Sequence, residues 1–396
     1  MALKNPIRET IFARTKAIID KHGPRLAGYT ASQNAAEDLY QSADFADKRE
    51  IEEFSVHSGA FMGWIRILVV CYLGAAILLW FGLPWISVIL VLISLAILVF
   101  QFFLYYHFID FLYPKRKGRN VIASVLPKGE VKKRIIVSGH HDSAHVFNFF
   151  IHQPKLYNLR VTGGIALILF LLVVSIVAWV FPGFILNLPL RILASVGFIL
   201  TGQMWFFSGK NGTPGAGDNL VSSVMAFEIA RFFKTNPLEN TEVIALSFDA
   251  EEEGLRGARA YANKHAEDFQ NVETILLNVD CPYELKELFF LTSDINGSVA
   301  MSEELAKELV EIAHQKNYPA VHKQIAFLTG GTDAGELAKK GVKATTLMAM
   351  PWDNNSRAAV YHTPNDTAEN IDPKAIDAAV DIFIEYIRRE DKKERE

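Results

Sequence analysis

Five short stretches carry histidines and carboxylates in an order that suits metal chemistry. They are Gly139-His140-His141-Asp142-Ser143, Gly215-Ala216-Gly217-Asp218-Asn219, the run from Phe248 to Leu255 with Glu251-Glu252-Glu253, Asn278-Val279-Asp280, and Tyr361-His362-Thr363-Pro364. Zinc takes imidazole nitrogen and carboxylate oxygen readily, so two histidines with three carboxylates are a ligand set for two zinc ions. A further glutamate beside them supplies a base for metal-bound water. Each stretch alone has a plainer reading. A strand-end aspartate commonly caps a helix or shapes a turn, and three glutamates in a row are usually a solvated face. The ordered combination is what carries information.

These residues need elements to hold them. Lys133 to Ser138, Glu242 to Phe248, Thr274 to Val279 and Ala344 to Met350 are compact β-rich runs. Between them, Leu220 to Phe233, Ser302 to Lys316 and Pro373 to Arg388 have helical patterning. Such alternation predicts an α/β fold, a sheet flanked by helices. Ligands in that architecture collect beyond the carboxyl ends of the strands, where the residues of interest fall.

The chain has 396 residues, half of them hydrophobic, and a mean hydropathy of +0.16. The apolar excess sits in two blocks, roughly Phe61 to Tyr113 and Val161 to Phe207, broken by Phe81-Gly82-Leu83-Pro84-Trp85 and by Pro182-Gly183. Each block supplies two helices long enough to cross a bilayer, turning where Gly and Pro favour a tight hairpin. Trp64, Trp80, Trp85, Tyr105, Tyr106, Trp179 and Trp205 cluster near the helix ends, as in an interfacial belt. One rival is a pair of buried hairpins in a large soluble core, which rarely needs four apolar stretches of that length; a nearer rival is that one hairpin is re-entrant. Pro189 and Arg191 make the fourth helix the least regular.

The predicted division is 1–60, the first part of a catalytic domain; 61–113, a first transmembrane hairpin; 114–156, with the first metal motif; 157–208, a second hairpin; 209–390, the rest of the domain; and 391–396, a charged tail. Lys115, Arg116, Lys117, Arg119, Lys155, Arg160 and Lys210 flank the hairpins on one side, against Arg191 at the opposite turns. This bias predicts a multi-pass protein with its hydrophilic part in the cytoplasm. Met1 to Arg14 shows no apolar secretion signal, and Ile7, Ile11, Ile18 and Ile19 suit an amphipathic helix. Two cysteines, Cys71 and Cys281, give no disulfide framework and read as ordinary buried thiols. A net charge of −4 argues against nucleic-acid binding.

The order His-x-Asp, Gly-Ala-x-Asp-Asn, Glu-Glu-x-Gly-Leu, Asn-x-Asp, Tyr-His-Thr resembles the aminopeptidase Y and bacterial leucyl aminopeptidase family of co-catalytic zinc exopeptidases. Its superfamily includes glutamate carboxypeptidase and glutaminyl cyclase. Gly23-Pro24-Arg25-Leu26-Ala27-Gly28 and Asn120-Val121-Ile122-Ala123 also match; the hydrophobic blocks do not. The resemblance implies a zinc-exopeptidase-like mixed sheet holding two zinc ions bridged by Asp218. It gives His140 and Asp280 to one ion and Glu252 and His362 to the other. Glu251 becomes the general base for the bridging water, Asp142 the orienter of His140, and Tyr361 a donor to the oxyanion. Only the spacing to Asp142 selects His140 over His141. Gly330-Gly331-Thr332-Asp333-Ala334 stands where many relatives have Ser-Asp-His, which leaves the substrate pocket open.

The expected activity is removal of N-terminal residues from peptides. The alternatives are a glutaminyl cyclase-like or lipid-amide reaction on the same ligands, or a non-catalytic scaffold, which the complete ligand set disfavours. A transporter is disfavoured by apolar helices almost free of ionisable groups. The second hydrophobic block begins soon after His140, so the expected partners are a peptide or amide substrate, membrane-associated in one version, and the lipid bilayer. Oligomerisation is compatible with the hairpins.

Overall fold

Buried runs rich in Val, Ile, Leu and Phe settle side by side at the centre of the hydrophilic sequence. In the computed structural model, which describes residues 6–351, 354–357 and 359–394, the strands are β1 (Lys48–His57), β2 (Lys115–Val125), β3 (Lys133–His140), β4 (Thr241–Phe248), β5 (Glu273–Asp280), β6 (Leu288–Leu291), β7 (Val321–Lys323) and β8 (Lys343–Ala349). They form one eight-stranded sheet in the order β1-β2-β4-β3-β5-β8-β6-β7. The middle four, β4, β3, β5 and β8, run parallel. The hairpin β1–β2 joins β4 antiparallel, and β6 reverses against β8. Every residue of β4 is buried, which is why its sequence is near-continuously apolar and does not alternate.

The longer helices are α1 (Pro6–His22), α2 (Thr30–Ser42), α3 (Ala60–Trp80), α4 (Pro84–Ile97), α5 (Tyr157–Val180), α6 (Asn187–Thr201), α7 (Val221–Thr235), α8 (Arg256–Lys264), α9 (Glu303–Gln315), α10 (Asp333–Ala338) and α11 (Pro373–Lys393). Their ends follow capping chemistry. Ser302 accepts from the Leu305 amide at the start of α9, and Asp372 caps α11 ahead of Pro373, whose missing N–H costs nothing in a first turn. Ile11 of α1, Phe227 and Ile229 of α7 and Phe383 of α11 join the sheet in one hydrophobic core. The chain thus adopts the expected α/β fold, a mixed sheet flanked by helices.

The chain separates into two units. One comprises Met1–Ser58, Lys115–Val146 and Asn211–Glu396; the other comprises Gly59–Pro114 and Phe147–Lys210 and holds α3 to α6. Four apolar segments of this second unit, Ala60–Trp80, Pro84–Phe103, Pro154–Val180 and Asn187–Phe206, are long and apolar enough to cross a membrane. Pro84 starts α4 and so converts the Gly82-Leu83 break into a hairpin. Polar groups between these helices are paired: Ser87 Oγ donates to the Ala75 carbonyl at 2.9 Å and meets Ser175 Oγ at 2.8 Å, and Tyr72 donates to the Ala194 carbonyl. Apolar side chains such as Ile185 and Ile199 face outward, 87% and 70% exposed. Lys117 and Arg119 lie in β2 and pair with Glu53 of β1, so part of the basic flank is already neutralised.

Candidate metal centre

Strand ends and loops place the sequence-predicted residues next to one another. His140 and Asp280 are the last residues of β3 and β5. Glu251 and Glu252 follow β4, Asp218 sits in the irregular turn 216–220 before α7, and His362 lies in a late loop. His140 Nε2 stands 3.3 Å from Asp218 Oδ1 and 3.8 Å from Glu251 Oε2. His362 Nε2 stands 3.0 Å from Asp218 Oδ2 and 3.4 Å from Glu252 Oε1. Asp218 therefore offers one oxygen toward each imidazole. Donor atoms of His140, Asp218 and Glu252 fall within 4.8 Å of one another, and so do those of His140, Glu251 and Asp280.

The donor set fits a metal. His140 Nε2, Asp218 Oδ2 and Glu252 Oε1 are buried and make no hydrogen bond among the described residues. The approach of His362 to Asp218 Oδ2 is close but not aligned as a hydrogen bond, so that oxygen is left unsatisfied. Unsatisfied buried polar atoms cost about 1–3 kcal/mol each, and a shared cation removes that cost.

The surroundings fix these donors. Nδ1 of His140 lies 3.2 Å from Asp142 Oδ1 and 3.2 Å from its carbonyl oxygen. The Asp142 carboxylate also accepts the amides of Glu251 and Glu252, each at 3.2 Å. Arg25 is fully buried and stitches two loops, donating to the carbonyls of His141, Pro214 and Gly215. Asp366 accepts the Gly217 amide at 2.7 Å and the Asp218 amide at 3.3 Å. Gly139 permits β3 to pass α7, since a Cβ there would lie 2.5 Å from Ser222. Gly215 takes a φ of +65° in the turn leading to Asp218.

Residues 195–387 match peptidase family M28. That stretch contains Asp218, Glu251, Glu252, Asp280, Tyr361 and His362. The match covers just under half of the chain. A comparison with curated proteins gives no match. Solved structures similar to the chain include a Zn-dependent exopeptidase from Parabacteroides distasonis, 15% identical, with a TM-score of 0.58 over 96% of this chain and 97% of that one. The glutaminyl cyclase of Tannerella forsythia is 13% identical, with a TM-score of 0.59 over 96% and 97%. The zinc aminopeptidase BSAP from Bacillus subtilis is 14% identical, with a TM-score of 0.58 over 96% and 94%. At these identities the likeness is one of fold.

Charge crowding in the site is severe. Burial foremost, with Glu252 and Asp280 adding, pushes Glu251 well above the usual carboxylate range, against the pull of His140. Burial pushes Glu252 up to about 7 and Asp280 up to about 6. Asp218 goes the other way: burial acts upward, but the imidazoles of His140 and His362 close beside it hold it below the usual range. Burial would lower His362, yet Glu252 and Asp218 carry it up to about 9.

Several residues take places that sequence reasoning left open or missed. His141 points elsewhere, with Nδ1 2.8 Å from Ser247 Oγ, and burial lowers it to about 3. Asp249 accepts from Ser32 Oγ and the Arg119 amide, a packing role. Asp333 opens α10 fully buried, and neither carboxylate oxygen is hydrogen-bonded among the described residues. Cys281, read as an ordinary thiol, lines the cavity of the site. Nothing in the sequence marked Asp366, which follows Pro364-Asn365 like any turn aspartate.

Proposed function

We propose that this chain is a membrane-embedded, two-zinc aminopeptidase. The observation that carries it is the convergence of His140, Asp218, Glu252, Asp280 and His362 on one point, with Glu251 beside them. His140, Asp218 and Asp280 would hold one ion, and Asp218, Glu252 and His362 the other. Zinc bound there supplies a Lewis acid that polarises a carbonyl and lowers the pKa of water.

The protein's own groups do the rest. Asp142 takes the Nδ1–H of His140, which leaves Nε2 as a lone-pair donor toward the centre. Glu251, raised by burial, accepts a proton from the attacking water and returns it to the departing nitrogen. Tyr361 lines the same cavity; burial keeps its hydroxyl protonated, a donor for the developing oxyanion. The cavity holds only about 30 Å³ and has Ile325, Met348 and Met350 as apolar walls.

The four apolar segments support anchorage by two hairpins, and Lys155, Arg160 and Lys210 against Arg191 support a cytoplasmic catalytic side. A second reading, cyclisation of N-terminal glutamine, has its own support in the similarity to glutaminyl cyclases. One experiment separates them: count zinc in the purified chain, then assay Glu251→Gln and wild type on peptides with N-terminal leucine or glutamine. Released leucine with two zinc ions supports the aminopeptidase. Pyroglutamyl product in its place favours the cyclase, and a fully active Glu251→Gln chain removes the proposed base.

A further inference from the structure

Val69, Val70 and Leu73 of α3 line an open groove of about 450 Å³ with Phe198, Ile199 and Gly202 of the fourth apolar segment. Arg66 precedes the α3 members by three, four and seven residues, so it lies on the same face of that helix. Its guanidinium carbon is 5.9 Å from the ring centre of Trp205, which also lines the groove. The groove is thus apolar along its length and cationic at the end where α3 begins. The backbone does not require glycine at position 202, where φ is −62°. The side chain missing there is part of the groove, and the nearest atoms to an added Cβ are those of the Phe198 ring, at 3.3 Å. Arg66 also lacks an acid to answer it. The second unit contains one acidic residue, Asp110, which is buried and accepts from Gln101 at 2.8 Å. Against it stand Arg66, Lys155, Arg160, Arg191 and Lys210. The one hydrogen bond of Arg66 among the described residues is long, 3.5 Å from Nη2 to the Ser208 carbonyl. The residue is exposed, which leaves the rest of its N–H fork open to a ligand.

We propose that this groove binds an anionic phospholipid, with one acyl chain laid between α3 and the fourth segment and the phosphate on Arg66. This rests on the membrane-spanning reading of the four segments. Lipid tails are as apolar as the helices, so packing and polar contacts must single out one lipid from the bulk. A groove touches a chain on two sides where a flat helix face touches it on one. A guanidinium meets two phosphate oxygens at once, so a headgroup held there is oriented as well as attracted. Basic sites between spanning helices lodge anionic headgroups, and the excess of cations in this unit selects net negative charge over a zwitterion. A second copy of the chain is the rival occupant. It would cover Val70, Leu73 and Ile199, which are exposed, but its own second unit brings no acid to Arg66 beyond the buried Asp110.

The full chain, purified in detergent and freed of native lipid, is titrated with phosphatidylglycerol or phosphatidylcholine and weighed by native mass spectrometry. One phosphatidylglycerol per chain is expected, bound about tenfold more tightly than phosphatidylcholine, the effect of one charge-assisted contact. Arg66→Gln should abolish that preference, and Gly202→Leu, which fills the groove, should weaken binding of both lipids. Equal binding of the two lipids by wild type overturns the proposal, and so does an Arg66→Gln chain that keeps the preference. A dimer that Gly202→Leu dissociates, with no lipid retained, overturns it in favour of the second copy. If Gly202→Leu fails to fold, Arg66→Gln at its exposed position decides alone. A chain that stays in solution without detergent overturns the spanning reading as well. A chain that needs detergent but shows no preference loses only this site.

Discussion

Asp142 Oδ1 stands 3.2 Å from Nδ1 of His140, and the same carboxylate accepts the amides of Glu251 and Glu252. One side chain thus sets the tautomer of an imidazole on β3 and the position of two glutamates beyond β4. Asp142→Ala is expected to weaken zinc binding by about 10- to 100-fold, the usual effect of losing such a partner. A chelator competition titration checks it. Unchanged affinity would leave Asp142 with a loop-ordering role only.

Glu251→Gln keeps the size of the side chain and removes its proton affinity. The expected loss in kcat is about 10²- to 10⁴-fold, with both zinc ions retained. Steady-state kinetics and a metal count on the same sample are needed together.

Arg25 donates to carbonyls of Gly23, His141, Pro214 and Gly215 from a fully buried position. Arg25→Met strands those acceptors and should destabilise the chain by on the order of 3 kcal/mol. The measurement is urea unfolding followed by a probe in the catalytic unit. A change within experimental error would show that water replaces the guanidinium there.

Asp294 accepts from Thr332 Oγ1 and from the amides of Thr332 and Ile295, and burial pushes it up to about 7. Its folded value lies above its unfolded one, so the native state holds the proton through the window between them. Stability from this group is then highest at acid pH and falls as pH rises from about 4 to 7, by at most about 1.4 kcal/mol per unit. Asp294→Asn, which mimics the protonated form, should match wild type below about pH 4 and exceed it near pH 8. Parallel curves for the two proteins would argue against the shift.

Membrane-associated substrates make a separate prediction. A lipid-anchored amide presented in detergent micelles should be turned over with a higher kcat/KM than a soluble dipeptide amide. Equal specificity for the two would reduce the hairpins to anchors or dimer contacts.

The sequence by itself determined the order of the metal motifs, the alternation of strand and helix, and the two apolar blocks. Those depend on local composition and periodicity, which survive without knowledge of neighbours. Spacing to Asp142 favoured His140 over His141, and tertiary structure shows which of the two lies beside Asp218. Adjacent strand residues face opposite ways, and only the pairing of β3 with β4 and β5 shows which one meets Asp218 and which meets Ser247. The same holds for Arg25 and Asp366. Their partners lie far along the chain, so burial and convergence, set by packing, assign what residue type and spacing could not.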